Sequence, residues 1–369
     1  MKNLSLSFLV IFGLATLHSC GDTDPIGGEA TDSFDRRALL VDLADNMIIP
    51  AYDNYLASVE LLDQSVIDFT DSPAISSLEE VRRLWFDAYL SWQEVALFEI
   101  GHAEQIALRA YTNSYPTDTK VIDTKIASGE YNLDLPSSMD EQGFPAIEYL
   151  IYGKDATAED ILERFSNNQT SNYLLDLSTR LVVNASEVVA DWQSDYRSSF
   201  IDNDGVSATS AINKIVNDYI FYYEKYLRAG KIGIPAGVFS GDPEPQTVEG
   251  LYADGVSKAL FLKGLSSVEH FFNGKKYDSD SFGEGLSSYL DYLNIVKDGA
   301  DLSTLINNQF GVIRATAQFL DDNIAEQISR DNNAMLSVYD ELQKNVVYLK
   351  VDMLQALNVK VDYVDSDGD

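Results

Sequence analysis

Two glutamates occupy positions in this sequence where a charge is unusual. Glu148 lies within the apolar stretch Gly143–Gly153, and Glu269 lies within the apolar stretch Gly264–Gly274. If both stretches are helical, each carboxylate interrupts an apolar stripe. A carboxylate in apolar surroundings is costly unless a cation, a hydrogen-bond donor or a metal ion compensates for it. Glu148 and Glu269 are therefore the first candidates for ligand or metal binding.

The two stretches align with each other without a gap. Gly143 corresponds to Gly264, Glu148 to Glu269, and Gly153 to Gly274. This correspondence predicts an internal repeat related by a pseudo-twofold axis. Such symmetry would bring both carboxylates to a cleft between the repeats, and ligand sites are common at domain interfaces.

A structural role remains open for the same residues. Arg82, Arg83, Arg228 and Lys231 are candidate partners for a buried glutamate. Removing one partner of such a pair costs roughly 3–5 kcal/mol. The two roles are not exclusive, because a buried ion pair can also shape a ligand site.

The other residues with chemical potential are few. The sequence has no His-Glu-x-x-His, Gly-x-Ser-x-Gly or phosphate-cradling motif. Beyond the N-terminal leader only His102 and His270 remain, so a metal site would use mainly oxygen ligands. The aromatic stripe Trp85, Tyr89 and Trp92 is typical of a core, although it can also form a cleft wall. The residues predicted at the cleft are Arg82, Trp85, Tyr89, Trp92, Gly143, Glu148, Lys231, Glu269 and His270.

Helical periodicity dominates the chain and must position these residues. The predicted helices cover about Arg36–Phe69 with an interruption at Pro50, Ser77–Ala96, Thr119–Ala127, Gly143–Gly153, Tyr173–Trp192, Ala208–Ala229, Gln246–Asn273, Phe282–Val296, Leu302–Asn308, Phe310–Leu320 and Asn333–Leu357. No convincing sheet is present. We therefore predict an all-α fold with two four-helix-bundle-like domains, residues 36–203 and 204–369, divided at the polar turn Asp202–Gly205.

The termini and the charge predict location and partners. Residues 1–19 are typical of a signal peptide, and Leu17–Cys20 resembles a bacterial lipobox with Cys20 as the lipidated residue. Residues 20–35 are expected to form a flexible tether. Together, the signal peptide, the lipobox and the tether predict an outer-membrane lipoprotein that is periplasmic or surface-exposed and is held to the membrane only by its lipid.

The net charge of −33 excludes nucleic acid as a partner and favours cationic ligands. The acidic end Asp365–Asp369 has only the first positions of a calcium loop.

Several motifs together resemble those of the imelysin family, exported bacterial proteins that include iron-regulated lipoproteins. The resemblance covers the chain after the tether and rests on Pro50-Ala51-Tyr52, the Trp85/Trp92 helix, Gly143–Gly153, Lys231–Gly237, and Lys350–Met353 with Asp365–Asp369. It implies two helical bundles, a site at their interface and an association with iron acquisition.

The same resemblance implies a metallopeptidase motif, Gly-x-His-x-x-Glu. Gly143 and Glu148 match it, but Pro145 stands in place of the histidine and cannot bind a metal. We therefore expect a lipid-anchored protein that binds iron, haem or another divalent cation without catalysis. The alternatives are a metallopeptidase using Glu148, Glu269 and His270, and a structural adaptor for an unidentified protein partner.

Overall fold

The computed structural model describes residues 32–361, and almost all regular structure in that range is helical. This confirms the all-α prediction. The α-helices are α1 (Arg36–Leu43), α2 (Ile49–Asp71), α3 (Ile75–Val95), α4 (His102–Gln105), α5 (Leu108–Thr112), α6 (Thr119–Ser128), α7 (Gly143–Tyr152), α8 (Ala158–Arg164), α9 (Asn168–Asp191), α10 (Arg197–Asp202), α11 (Ala211–Phe221), α12 (Ser257–Asn273), α13 (Leu286–Tyr292), α14 (Leu302–Ala317), α15 (Ile324–Arg330), α16 (Asn333–Val346) and α17 (Leu354–Ala356).

Wider π-helical turns extend or connect several of these helices, and the second of them contains a kink at Ser194. They span Ala44–Ile48, Trp192–Tyr196, Tyr222–Gly233 and Val347–Met353. The first replaces the interruption predicted at Pro50, which occupies the first turn of α2, where a missing N–H is tolerated. Segments of this kind are frequent at functional sites because they displace side chains from the regular helical pattern.

Several predicted boundaries in the C-terminal part were wrong. Residues 246–256 are mostly irregular, and α12 begins only at Ser257. The predicted helix Phe282–Val296 is the shorter α13 followed by a hairpin of two-residue strands, β1 (Val296–Lys297) and β2 (Ala300–Asp301). The two helices predicted within residues 302–320 are one helix, α14.

Two groups of helices pack around a continuous core. In the first, α2 packs against α3 and α9, and in the second, α14 and α16 pack against each other and α16 packs against the π-helix Tyr222–Gly233. Helix α12 packs against α3 and so joins the groups. The predicted division at Asp202–Gly205 and the internal repeat stay predictions.

No helix within residues 32–361 is long and apolar enough to span a bilayer. The predicted signal peptide, Cys20 and the acidic end Asp365–Asp369 lie outside the described residues.

Candidate functional site

Glu148 is fully enclosed, with a side chain that is 1% exposed. Glu148 is buried because the apolar residues of α7 on either side of it pack into the interior. Its Oε1 accepts hydrogen bonds from the backbone N–H groups of Tyr252, at 2.6 Å, and Ala253, at 2.8 Å. The carboxyl therefore anchors an irregular segment that lies more than a hundred residues further along the chain. No arginine or lysine of the described part forms an ion pair with it.

Burial raises the pKa of Glu148 to about 8, since a charge loses its hydration there. The two backbone donors oppose this shift, and the nearby Glu249 carboxylate adds to it. At neutral pH the group is largely a neutral acid. This neutral form explains how a glutamate is tolerated here without a cation.

A buried ion pair lies beside Glu148. The Lys231 ammonium, at the end of the π-helix Tyr222–Gly233, bonds to Oε2 of Glu249, and both side chains are less than 5% exposed. Desolvation lowers the pKa of Lys231, although the Glu249 charge opposes the shift. Oε1 of Glu249 also accepts from the side-chain amides of Gln93, at 3.1 Å, and Asn113, at 2.7 Å.

We name Glu148, Glu249, Lys231, Gln93 and Asn113 the buried polar centre. Its members come from α3, α7, the segment after α5, a π-helix and the loop before α12. Glu249 bonds to Lys231, Gln93 and Asn113, whereas Glu148 bonds to the backbone of residues 252–253, three residues after Glu249. Polar contacts among so many elements fix how those elements meet. The centre therefore lies where residues from both parts of the chain converge.

An open cleft lies next to this centre. Its volume is about 1090 Å³, and its walls come from residues 82–158 on one side and 245–330 on the other. We name it the Tyr152–Tyr252 cleft after the two half-buried aromatic residues that line it. Tyr252 joins it to the centre, because its ring lines the cleft while its N–H donates to Glu148.

Arg82 is one of the cationic side chains that line the cleft, together with Lys154 and Arg330. Its guanidinium donates two hydrogen bonds, at 2.9 and 2.8 Å, to the carbonyl of Ile151 near the end of α7. It also lies 4.6 Å from the ring centroid of Tyr152. Arg82 therefore holds the end of the helix that carries Glu148 rather than pairing with Glu148 itself.

The predicted aromatic wall belongs to the core. Trp85, Tyr89 and Trp92 are at most 1% exposed. Tyr89 donates to Oδ1 of Asn113 at 2.5 Å, and Trp85 lies edge-on behind Tyr152 with ring centroids 5.5 Å apart. These residues support the buried polar centre and the cleft from behind, and they do not line the cleft.

The contacts of Glu269 and His270 do not include Glu148, which the predicted convergence would require. Glu269 is half-buried and forms an ion pair with Arg314 of α14, a partner that the sequence analysis did not consider. His270 lines a different pocket. The physical reason is that α12 presents this part of its surface to α14, not to α7. Glu269 thus has a cationic partner, as the structural role left open would require, whereas Glu148 forms no ion pair with an arginine or lysine of residues 32–361.

Gly143 and Gly264 also differ in their surroundings. Gly143 has φ of +76° at the start of α7, and a Cβ there would lie 2.1 Å from the Thr112 carbonyl oxygen. Gly264 lies inside α12, where a Cβ would lie 3.1 Å from the Tyr222 hydroxyl. The aligned glycines therefore serve different purposes.

Replacing Gly143 by alanine is expected to lower the free energy of unfolding by more than about 2 kcal/mol, through the left-handed backbone and the carbonyl clash. The control, Gly264→Ala, is expected to stay within about 1 kcal/mol of the parent, because better helix propensity offsets a tight contact. Urea unfolding measures both. Equal losses would mean that the two glycines are equivalent after all.

The described residues do not bring together the side chains that a metal ion would need. Within residues 32–361 no three His, Cys, Asp or Glu side chains are grouped so as to hold a metal. The alternative ligand set Glu148, Glu269 and His270 is therefore not assembled. Pro145 itself is buried in α7.

The sequence analysis missed Glu249, Gln93, Asn113 and Tyr252. Glu249 and Tyr252 lie in an irregular segment without periodicity, and Gln93 is a single polar residue on an aromatic helix. The apolar stretch around Glu148 predicted that this acid is buried, but no sequence pattern identified the residues that bond to it.

Comparisons with known proteins agree with this architecture. The family model of imelysin, Peptidase_M75, matches residues 48–352. Iron-regulated protein A of Synechococcus elongatus is 26% identical over 183 residues, which are 49% of this chain and 45% of that protein. The chain therefore matches less than half the length of this curated relative.

Two solved structures share the fold. An imelysin-like protein from Psychrobacter arcticum 273-4 superimposes with a TM-score of 0.69 over 89% of this chain and 97% of its own. A protein from Parabacteroides distasonis ATCC 8503, provisionally named an iron-regulated protein A precursor, superimposes with a TM-score of 0.72 over 89% and 98%. Both are 17% identical to this chain, so the likeness concerns the fold alone.

Proposed function

This chain belongs to the imelysin family, and we propose that it is a binding protein of the bacterial cell envelope that takes part in iron acquisition through the Tyr152–Tyr252 cleft. The observation that carries this proposal is the cleft itself, which lies against the buried polar centre and draws its walls from both parts of the chain. The proposed role is binding without catalysis.

The chemistry of the cleft favours iron carried by an organic molecule, such as haem, over a bare ion. The cleft is as large as the sites that enclose organic ligands, which measure about 300–1,000 Å³. Its tyrosines, Tyr152 and Tyr252, offer flat apolar surface on which an organic ligand can stack. Burial raises the pKa of each phenol to about 12, so both side chains are neutral hydrogen-bonding groups. A bare ion would need a group of carboxylate or imidazole ligands, and the described residues do not assemble one.

The cleft is lined by both acidic and basic side chains, the acidic ones being Asp155, Asp254 and Glu326, and two of the basic ones are placed to meet an anionic group of the ligand. Arg82 lines the cleft with its guanidinium over the Tyr152 ring. Lys154 lies at the same wall, is exposed, and forms no ion pair with another described residue. Carboxylate groups on a flat ligand would be neutralised at this edge.

The link to iron and to the envelope comes from relatives and from the N-terminal sequence. The names of two similar proteins refer to iron regulation, and one of them is called a precursor. The leader of residues 1–19 and the lipobox ending at Cys20 support export and lipid anchoring at the outer membrane. The proposed location is the periplasmic or outer face of that membrane.

Binding of haem by the purified protein tests the proposal. We expect a saturable change in the haem absorption spectrum, and we expect Tyr152→Ala and Tyr252→Ala each to weaken binding by about tenfold or more, because each removes a stacking surface. The matched control is Tyr292→Ala, since Tyr292 is half-exposed but lies outside the cleft.

Two outcomes would contradict the proposal. The first is an absence of haem binding together with an absence of binding of ferric citrate, measured by calorimetry. The second is binding that the Tyr292 variant weakens as much as the cleft variants do. Cleavage of a peptide library that a chelator abolishes would instead favour the metallopeptidase alternative.

A further inference from the structure

A second pocket lies on another side of the molecule, where the loop after α12 closes over the π-helical turn Ala44–Ile48. Its volume is about 360 Å³. The loop is fixed in place, because the Tyr277 N–H donates to the Asn46 carbonyl at 2.7 Å and the Glu284 N–H donates to Asp42 at 2.8 Å. The pocket is therefore a built feature of the fold and not a gap beside a loose segment.

The floor of this pocket is apolar and its rim is basic. Met47, Ala51 and Phe98 form the floor, and all three are buried. Lys275 and Lys276 lie at the rim together with His270. The Lys275 ammonium forms no ion pair with any residue in the range 32–361, and Lys276 lies 4.0 Å from its nearest carboxylate, Asp42.

Three acidic side chains line the pocket, and each is either paired with a cation or exposed to water. Glu94 accepts from Lys263 at 2.5 Å and from the Tyr277 hydroxyl at 3.1 Å, so its charge is already compensated. Asp278 and Asp280 are exposed at the tip of the loop, where water screens them. The half-buried Lys275, which has no ion-pair partner among residues 32–361, is therefore the cation available to a ligand in this pocket.

The protonation state of His270 agrees with the positions of these charged side chains. Burial, followed by Lys275, Lys263 and Arg314, lowers the pKa of His270 to about 4. The imidazole is thus neutral at physiological pH, and it can donate or accept a hydrogen bond without adding a charge. The two neighbouring lysines at this pocket are a local feature that the net charge of −33 does not predict.

We propose that this pocket binds a small organic carboxylate, with the carboxylate group on Lys275 and Lys276 beside His270 and the carbon chain over Met47, Ala51 and Phe98. The basic rim provides the charge-assisted hydrogen bonds that a carboxylate needs. The apolar floor distinguishes this ligand class from inorganic phosphate, which would leave the floor uncovered. This site is separate from the Tyr152–Tyr252 cleft, and it does not depend on the function proposed for that cleft.

Histidine-selective NMR of the full chain tests the proposal with hexanoate as the probe. We expect hexanoate to shift the His270 ring resonances saturably and to leave His102 unchanged, because His102 lies elsewhere beside Glu187. Lys275→Gln is expected to weaken hexanoate binding by about tenfold, since it removes the unpaired cation. The matched control is Lys120→Gln, which removes an exposed lysine of α6 that lines neither pocket and forms no ion pair with another described residue, and which should leave hexanoate binding unchanged.

Phosphate and acetate, at the same ionic strength, complete the experiment. Both are expected to bind more weakly than hexanoate, because neither covers the apolar floor. The proposal is overturned if hexanoate does not shift His270, if Lys275→Gln binds it as well as the parent does, or if phosphate binds as tightly as hexanoate.

Discussion

Replacing Lys231 by methionine is expected to lower the free energy of unfolding by about 3–5 kcal/mol, because it leaves Glu249 charged, buried and without its cation. Gln93 and Asn113 would still donate to Glu249, but two neutral amides do not balance a full charge in the interior. Equilibrium unfolding in urea at neutral pH measures the loss.

The double variant Lys231→Met/Glu249→Gln separates the ion pair from simple packing. Because both charges are then absent, we expect it to recover most of the stability that the single variant loses. The surface pair of Lys344 and Glu341 gives the matched control, since Lys344 is largely exposed, and Lys344→Met should cost less than about 1 kcal/mol. Equal losses in the single and double variants would show that the two charges are not coupled.

Lys231 illustrates how far the sequence could predict the site. The sequence analysis placed Lys231 among possible partners of a buried glutamate, and the structure does pair it with one. The partner is Glu249, which lies in an irregular segment after a Gly/Pro-rich loop. Helical periodicity identifies residues that share a helix face, but it does not tell where an irregular segment returns to the core. The pairing could therefore not be derived.

The fold was easier to predict than the contacts. Long amphipathic segments such as Asn333–Leu357 were recognised because their apolar spacing repeats over many turns. The region between Gly237 and Ser257 was assigned partly to helix, although it is mostly irregular. Its Tyr252 and Ala253 N–H groups are satisfied by Glu148 instead of by a helix, and only a tertiary contact reveals this.

Glu269 shows the limit of reasoning from internal similarity. Its surroundings in the sequence align without a gap with those of Glu148, yet one carboxylate pairs with Arg314 and the other bonds to backbone N–H groups. The alignment captured the apolar helix face in both cases. It did not capture which element packs on that face, because this depends on the order of the neighbouring helices and not on the local pattern.

Replacing Glu148 by glutamine is expected to stabilise the protein relative to the parent at alkaline pH. A carboxyl group with a raised pKa in the folded state binds its proton more tightly there than in the unfolded chain. Its stabilising contribution is complete below the ordinary value of 4.5 and is lost as the pH rises through about 8. Glutamine has no such proton, and its amide oxygen can still accept from Tyr252 and Ala253.

The quantity to measure is the difference in free energy of unfolding between Glu148→Gln and the parent at several pH values. Between pH 5 and pH 8, the free energy of unfolding of the variant should rise relative to that of the parent by about 3–5 kcal/mol, since each pKa unit corresponds to about 1.4 kcal/mol. Subtracting the two profiles removes the titration of all the other acidic groups, which both proteins share.

Glu341→Gln provides a control of opposite sign. Hydrogen bonds from Lys344 and Gln309 lower the pKa of Glu341, so its charge stabilises the fold, and this contribution disappears on acidification. The Glu341 variant should therefore be less stable than the parent at neutral pH and should approach it as the pH falls. A Glu148 difference that is independent of pH would mean that this carboxyl is already ionised inside the protein, with a cation or a metal ion beside it. Glu148 would then have to be reconsidered as a ligand.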